Sequence, residues 1–229
     1  MAMLQMLKNP KSSTAEAYRT LRTNLQFSQG DKEVKTVVIT STGAGEGKST
    51  TCANMAVALA QGGNKVLIID CDLRRPMIHK LFKLGNSDGL TNFLVGNIKL
   101  SESIKKSDIE GLHVMTSGII PPNPSELLSC KRMEEYLDKF KEVYDYIIID
   151  TPPVCLVTDA QILAGKTDGV VLVASCKHVH KKALVQAKGL LENVEANILG
   201  VVLNKAESKL LGYNKYYNNG YGYNYYTTG

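Results

Sequence analysis

Three short apolar runs in this sequence end in side chains that can do chemistry. The first, Thr36-Val37-Val38-Ile39-Thr40, passes into Ser41-Thr42-Gly43-Ala44-Gly45-Glu46-Gly47-Lys48-Ser49-Thr50 and then into a helical stretch. Glycines let successive backbone N–H groups curl around a phosphate, and a helix N-terminus adds partial positive charge. Gly43, Gly45, Glu46, Gly47, Lys48, Ser49 and Thr50 therefore read as a nucleotide-binding loop, with Lys48 reaching the β and γ phosphates and the Ser49 hydroxyl available to magnesium. Thr42 breaks the strict G-x-x-x-x-G-K-[ST] pattern at its first position, but the remaining glycines keep the flexibility that the mechanism needs. The second run, Val66-Leu67-Ile68-Ile69, continues as Asp70-Cys71-Asp72-Leu73-Arg74, and the third, Tyr146-Ile147-Ile148-Ile149, continues as Asp150-Thr151-Pro152-Pro153. Magnesium takes oxygen ligands and retains waters, so Asp70, Asp72 and Asp150 beside Ser49 form the candidate metal set. An Asp at a strand end can also simply bond loop amides, which explains one such residue more easily than three. Asn204 closes the run Ile198 to Leu203, where an amide could read an adenine edge or merely make a turn.

The end of the chain is of a different kind. Seven of the 11 tyrosines, Tyr213, Tyr216, Tyr217, Tyr221, Tyr223, Tyr225 and Tyr226, fall in the last 17 residues among Asn, Gly, Lys and Thr. With no periodic aliphatic positions, residues 208–229 cannot bury a core and are expected to be a disordered tail on a domain spanning 1–207, whose residues 1–13 read as a flexible leader. Beside a phosphate loop, the tail reads as an array of acceptor hydroxyls. Two other roles fit its composition: non-specific association, or stacking on nucleic-acid bases.

The elements that must position these residues follow from periodicity. Thr14 can cap a helix running to about Ser28, with Ala17, Leu21, Leu25 and Ser28 on one face and Arg19 and Arg22 on another. Thr36 to Thr40, Lys65 to Ile69, Leu112 to Met115, Tyr146 to Ile149, Val170 to Ala174 and Ile198 to Leu203 read as strands, several apolar almost throughout, as strands buried on both faces are. Helical stretches lie between them, notably Ser49 to Gln61, Lys131 to Glu142 and Lys181 to Glu192, and a rigid Pro-rich loop at Ile120 to Pro124 leads into a short helix. This alternation predicts an α/β fold, a P-loop NTPase-like and mostly parallel β-sheet with helices on both faces and ligands at the carboxyl ends of the strands.

Composition narrows the remaining classes. At 229 residues and 44% hydrophobic, the chain can bury one sizeable core. No apolar stretch approaches the roughly 18 residues needed to cross a bilayer, and Met1 to Leu7 lacks the basic start of a secretory signal, so a cytoplasmic location is expected. The five cysteines stand singly, which argues against a zinc site and fits a reducing compartment. A net charge of +5, scattered as pairs such as Lys105-Lys106, points to solvated helix faces and not to a nucleic-acid partner.

With Lys48, the Asp70-Cys71-Asp72-Leu73-Arg74 element, Asp150 and the tyrosine cluster in this order, nearly the whole chain resembles the bacterial tyrosine kinases. The resemblance makes the Gly-Lys-Ser loop a Walker A motif, the DxDxR strand end a Walker A′ motif and the Asp before Thr-Pro-Pro a Walker B residue. It implies that Lys48 and Ser49 bind the phosphates of ATP and Mg2+, that Asp70 and Asp72 serve the metal and the tyrosine hydroxyl, that Asp150 supports the metal, and that Arg74 stabilises charge nearby. Glu16-Ala17-Tyr18-Arg19-Thr20-Leu21-Arg22 looks like the ExxRxxR motif that joins such kinases into rings, which makes Glu16, Arg19 and Arg22 an interface of a homo-octamer. Read from residues alone, the same spacing also makes ordinary intrahelical pairs. Further implications are autophosphorylation of the tail in trans, other protein-tyrosine substrates, a cognate tyrosine phosphatase, and peripheral recruitment to the membrane by the cytoplasmic tail of a transmembrane adaptor. The process implied is capsular or exopolysaccharide synthesis and export. Partition and division-site ATPases, which act as ATP-dependent assembly switches, are the alternative; their loop carries an extra lysine where Gly43 stands here.

A tyrosine hydroxyl, with an unperturbed pKa of about 10, must lose its proton during or after attack. Asp72 and then Asp70 are the candidate acceptors. Because phosphoryl-transfer transition states are loose, holding the hydroxyl in line matters more than the strength of the base. Phosphates at about −1.5 to −2 charge each would then repel one another in a packed ring and limit the cycle.

Overall fold

The computed structural model describes residues 4–28, 33–177 and 179–206. Helices α1 (Gln5–Lys8) and α2 (Ser13–Phe27) precede strand β1 (Thr36–Ser41), and α3 (Lys48–Ala60) leads to β2 (Val66–Asp70). Short helices α4 (Ile78–Leu81), α5 (Leu90–Leu94) and α6 (Leu100–Ser103) come before β3 (Ile104–Lys106) and β4 (Leu112–Met115). Then follow α7 (Pro124–Ser129), α8 (Lys131–Lys141), β5 (Tyr146–Asp150), α9 (Asp159–Ala164), β6 (Gly169–Ser175), α10 (Lys181–Glu192) and β7 (Ile198–Asn204). The strands form one sheet in the order β3-β4-β2-β5-β1-β6-β7, parallel except for β3, which runs antiparallel to β4 at the edge.

The continuous apolar runs have the cause expected of them: β1, β2, β5 and β6 are buried at every position because helices cover both faces. On one face Val37, Ile39, Ile68 and Ile148 pack against Cys52, Met55, Ala56 and Leu59 of α3, with Leu25 of α2 outside them. On the other, Leu67, Ile69, Ile147 and Ile149 meet Leu137 and Phe140 of α8, Leu163 of α9 and Leu191 of α10. Each such side chain contributes about 1.5–3 kcal/mol on burial, so the central strands, whose ends carry the candidate residues, are the most firmly held part of the molecule. The edge strand β7 is only partly buried, in keeping with its position.

Local differences from the sequence reading have identifiable reasons. The cap of α2 is Ser12, whose hydroxyl accepts the Ala15 N–H at 3.2 Å, so the helix starts one residue before Thr14. Its inward face is Ala15 and Leu25 with Tyr18 and Leu21 beside them, while Ala17 is exposed. Strand β3 escaped notice because three residues containing two lysines carry no alternation. Within the expected leader, Leu4 and Met6 are buried, and the Met6 N–H donates to Asn54 Oδ1 at 3.0 Å. Tyr213, Tyr216, Tyr217, Tyr221, Tyr223, Tyr225 and Tyr226 lie outside the described residues. Among the described residues no helix is long and apolar enough to cross a membrane.

Candidate active site

Sheet register brings the candidate residues together. In the parallel β2–β5 pair Asp70 stands opposite Asp150, and in the β1–β5 pair Ile39 stands opposite Asp150, so β1 releases the glycine loop beside both acidic strand ends. Gly45 and Gly47 adopt φ of +76° and +95°, the left-handed region that a side chain resists. Gly47 is doubly required, since a Cβ there would collide with the Asn204 amide.

Lys48 opens α3, and its ammonium lies 2.7 Å from Asp72 Oδ2, 3.4 Å from Asp150 Oδ1 and 3.1 Å from Ser49 Oγ. The side chains of Lys48, Asp72 and Asp150 are 12%, 6% and 0% exposed, so these charges face one another with little water between them. Burial alone would lower the Lys48 pKa, but Asp150 and Asp72 outweigh it and hold the ammonium protonated well above its ordinary value. Burial raises the Asp150 pKa, opposed by Lys48 and a Ser49 hydrogen bond.

Asp70 is placed differently. Its Oδ2 accepts the N–H groups of Met77 and Ile78 at 3.0 and 2.9 Å, and its Oδ1 accepts the Asp72 N–H at 3.2 Å. Those bonds fold the chain after β2 back on itself and aim Asp72 at Lys48. Burial, with the Asp150 charge beside it, raises the Asp70 pKa to about 8, against the Ile78 N–H and Lys48, which favour the anion. Ser49, Asp72 and Asp150 are thus the residues whose side-chain oxygens approach the Lys48 ammonium within 3.5 Å. Among the described residues no three His, Cys, Asp or Glu side chains form a closed metal cage. An open set of this kind suits magnesium, which keeps waters and takes phosphate oxygens alongside one or two carboxylates.

Three further residues singled out from the sequence have their side chains committed within the protein. Glu46 is 4% exposed and turned inward: Oε2 accepts the Thr42 hydroxyl and the Gly43 N–H, both at 2.9 Å, and Oε1 accepts the Ser175 N–H at 3.4 Å. Its carboxylate braces the loop, leaving the backbone as the part of Glu46 that can face a phosphate. Asn204 Nδ2 donates to the Glu46 carbonyl at 2.8 Å. Arg74 grips Asp159 through Nε and Nη2, at 2.8 and 3.0 Å. On α2, Arg19 pairs with Glu16 at 2.8 Å and donates to the Pro10 carbonyl, while Arg22 donates to the Ala58 carbonyl in the last turn of α3 at 3.0 Å.

Sequence reasoning missed Lys205, Ser175 and Asp159. Lys205 has a φ of +56° and places its ammonium 2.7 Å from the Gly45 carbonyl, so the end of β7 is fastened to the glycine loop. A left-handed lysine leaves no trace in sequence, and Asp159 after Thr158 reads as an ordinary helix start.

Comparisons with known proteins give the chain its family. The AAA domain family matches residues 34–203. Tyrosine-protein kinase YwqD of Bacillus subtilis is 46% identical over 198 residues, which cover 86% of this chain and 84% of that protein. The chain belongs to the bacterial tyrosine kinases. Among solved structures, the chimerical protein CapA2B2 matches this kinase with a TM-score of 0.86 and 43% identity over 89% of each chain. The septum site-determining protein MinD of Pyrococcus horikoshii, solved with Mg-ADP, shares the sheet at a TM-score of 0.64 and 25% identity, covering 76% of the kinase and 72% of its own chain.

Proposed function

We propose that this kinase transfers the γ-phosphoryl group of Mg-ATP to tyrosine hydroxyls, its own C-terminal cluster among them, acting on a neighbouring chain. The observation that carries the reading is the Lys48 ammonium held between Asp72 and Asp150 at the mouth of the glycine loop. In this reading the loop N–H groups from Gly43 to Thr50 cradle the phosphates, Lys48 turns from Asp72 toward the β and γ oxygens, and Asn204 borders the base. Ser49, Asp72 and Asp150 would hold Mg2+, with Asp70 shaping the loop that presents them; the ion supplies charge neutralisation for the phosphates. Asp72, which accepts one loop amide through Oδ1 and turns Oδ2 to Lys48, takes the proton that leaves the tyrosine hydroxyl.

Several features support the finer parts of the proposal. Lys205, just past β7, reaches the Gly45 carbonyl at 2.7 Å, so the end of β7 lies beside the glycine loop. Glu16 is exposed and Arg19 half-buried, which leaves this part of the α2 surface accessible to a second copy, as a ring-shaped octamer would need. A similar solved protein, CapA2B2, is a chimera, which fits a kinase that works with a second protein, read here as a membrane adaptor and activator. With it come recruitment to the membrane, a cognate phosphatase and a role in capsular or exopolysaccharide synthesis and export.

The test is intact-mass and peptide analysis after incubation with Mg-ATP, with and without phosphatase treatment. Wild type gains several phosphates confined to 208–229, and Lys48→Met gains none, because a neutral side chain cannot offset phosphate charge while the core stays untouched. When mixed with an active chain lacking residues after 208, the Lys48→Met chain is phosphorylated on its tail. A wild-type chain that stays unmodified, or a folded Lys48→Met chain that modifies itself fully, overturns the proposal.

A further inference from the structure

Asp159 is fully buried, carries a carboxylate, and takes hydrogen bonds from one residue, Arg74, through both of its oxygens. Arg74 follows Asp72 by two residues, and Asp159 opens α9 at the far end of the segment that leaves Asp150. The two-point bridge therefore ties together the two loops whose carboxylates meet at Lys48. Those loops need tying. Sheet pairing fixes Asp70 opposite Asp150, but Asp72 lies beyond the end of β2, where no ladder holds it. The Asp72 N–H donates to Asp70 Oδ1 and the Arg75 N–H donates to Asp72 Oδ1, and these local bonds set the shape of its turn. The Arg74–Asp159 bridge adds the anchor of that turn to the opposite loop. Only one partner is buried, the Asp159 side chain at 0% exposure against 38% for Arg74, and an ion pair with an exposed partner contributes little to stability, so stability alone gives little reason for it. A planar fork on a carboxylate holds direction as well as distance, which is what a pair of metal-facing carboxylates requires.

We infer that Asp159 is a positioning residue for phosphoryl transfer, acting through Arg74 to hold Asp72 at its working separation from Asp150. This rests on the proposed roles of Asp72 and Asp150, and it replaces direct charge stabilisation by Arg74. The two bridging residues then act as one unit.

The experiment compares Arg74→Ala, Asp159→Asn, the double variant and Arg74→Lys with wild type in the full chain. It measures turnover on a tyrosine peptide, the Mg2+ concentration at half-maximal rate, and calorimetric binding of ADP with and without Mg2+. The expected result is a loss of about 10- to 100-fold in turnover or Mg2+ affinity for each single alanine or asparagine variant, the usual effect of removing a partner that orients metal ligands. The double variant is no worse than either single one, and ADP without Mg2+ binds as to wild type. Arg74→Lys keeps Asp159 paired, so it folds even where Asp159→Asn does not, and it shows the same Mg2+ shift in smaller degree. Wild-type turnover and Mg2+ dependence in Asp159→Asn or in Arg74→Lys overturns the inference. So does an Arg74→Ala defect far beyond that of Asp159→Asn and multiplying with it, which assigns Arg74 to the phosphates directly. Asp72→Asn run alongside separates the two levels: if it leaves Mg2+ dependence unchanged, the site reading itself fails, whereas a defect there with an intact Asp159→Asn removes only the bridge.

Discussion

Replacing Glu46 by glutamine isolates the brace inside the glycine loop. The carboxylate accepts three hydrogen bonds, two on Oε2 from Thr42 and Gly43 and one on Oε1 from the Ser175 N–H. Glutamine keeps the shape but has a single acceptor oxygen. In its better orientation that oxygen retains Thr42 and Gly43, and the amide nitrogen then meets the Ser175 N–H, donor against donor. Leaving a buried N–H unsatisfied costs about 1–3 kcal/mol, and converting two bonds to a charged acceptor into neutral ones costs about 1 kcal/mol more in sum. The expected loss is about 3 kcal/mol, which for a domain of this size lowers Tm by roughly 6–12 °C. Because the strain is local, nucleotide affinity falls as well, whereas a core substitution of equal cost would lower Tm and spare affinity. Thermal unfolding followed by circular dichroism and titration with a fluorescent ADP measure the two effects. A Glu46→Gln protein with wild-type Tm and wild-type ADP affinity refutes the brace.

The remaining predictions concern the acid site, the α2 surface and the domain's base. Asp72→Asn removes the proposed proton acceptor and the carboxylate 2.7 Å from the Lys48 ammonium; transfer to a tyrosine peptide should fall by about 100-fold or more while part of the Mg-ADP affinity remains, and unchanged transfer moves the base elsewhere. If the proposed ring forms through α2, Arg19→Ala with Arg22→Ala should lower the mass of the unphosphorylated protein in light scattering; an unchanged mass with a stability loss of about 1 kcal/mol limits these arginines to their contacts with Glu16 and Ala58. Asp168 accepts Lys35 N–H at 3.0 Å and the Thr36 N–H and hydroxyl at 2.7 Å; burial alone would raise its pKa, but the Thr36 bonds and Lys35 lower it overall. A carboxylate depressed on folding contributes stability that is complete above its unfolded pKa of about 3.9 and lost as pH falls through the folded value. Asp168→Asn should therefore cost about 1–3 kcal/mol at neutral pH, with the difference from wild type closing below pH about 4 in denaturant titrations.

What the sequence determined by itself is whatever depends on neighbours along the chain. Continuous apolar runs alternating with helical stretches require strands covered on both faces, and β1, β2, β5 and β6 are buried at every position. A strand, a glycine loop and a helix in succession place Lys48 and Ser49 at a helix start, since φ values of +76° and +95° at Gly45 and Gly47 suit no other residue as well. The carboxylates of Asp70 and Asp150 had to share one edge because both end strands of a parallel sheet. What the tertiary structure decided is which way those side chains turn once distant segments pack. Glu46 faces inward because Ser175, 129 residues away, offers an N–H there. Asn204 reaches the loop carbonyl of Glu46 across 158 residues, and Arg74 closes on Asp159 across 85. Asp70 and Asp72 are indistinguishable as letters two apart, yet the turn after β2 holds both oxygens of Asp70 on its own amides and only one of Asp72, leaving the other for Lys48. Periodicity fixes the side of an element a residue occupies; the partner it meets there comes from another element, whose approach only the packed core sets.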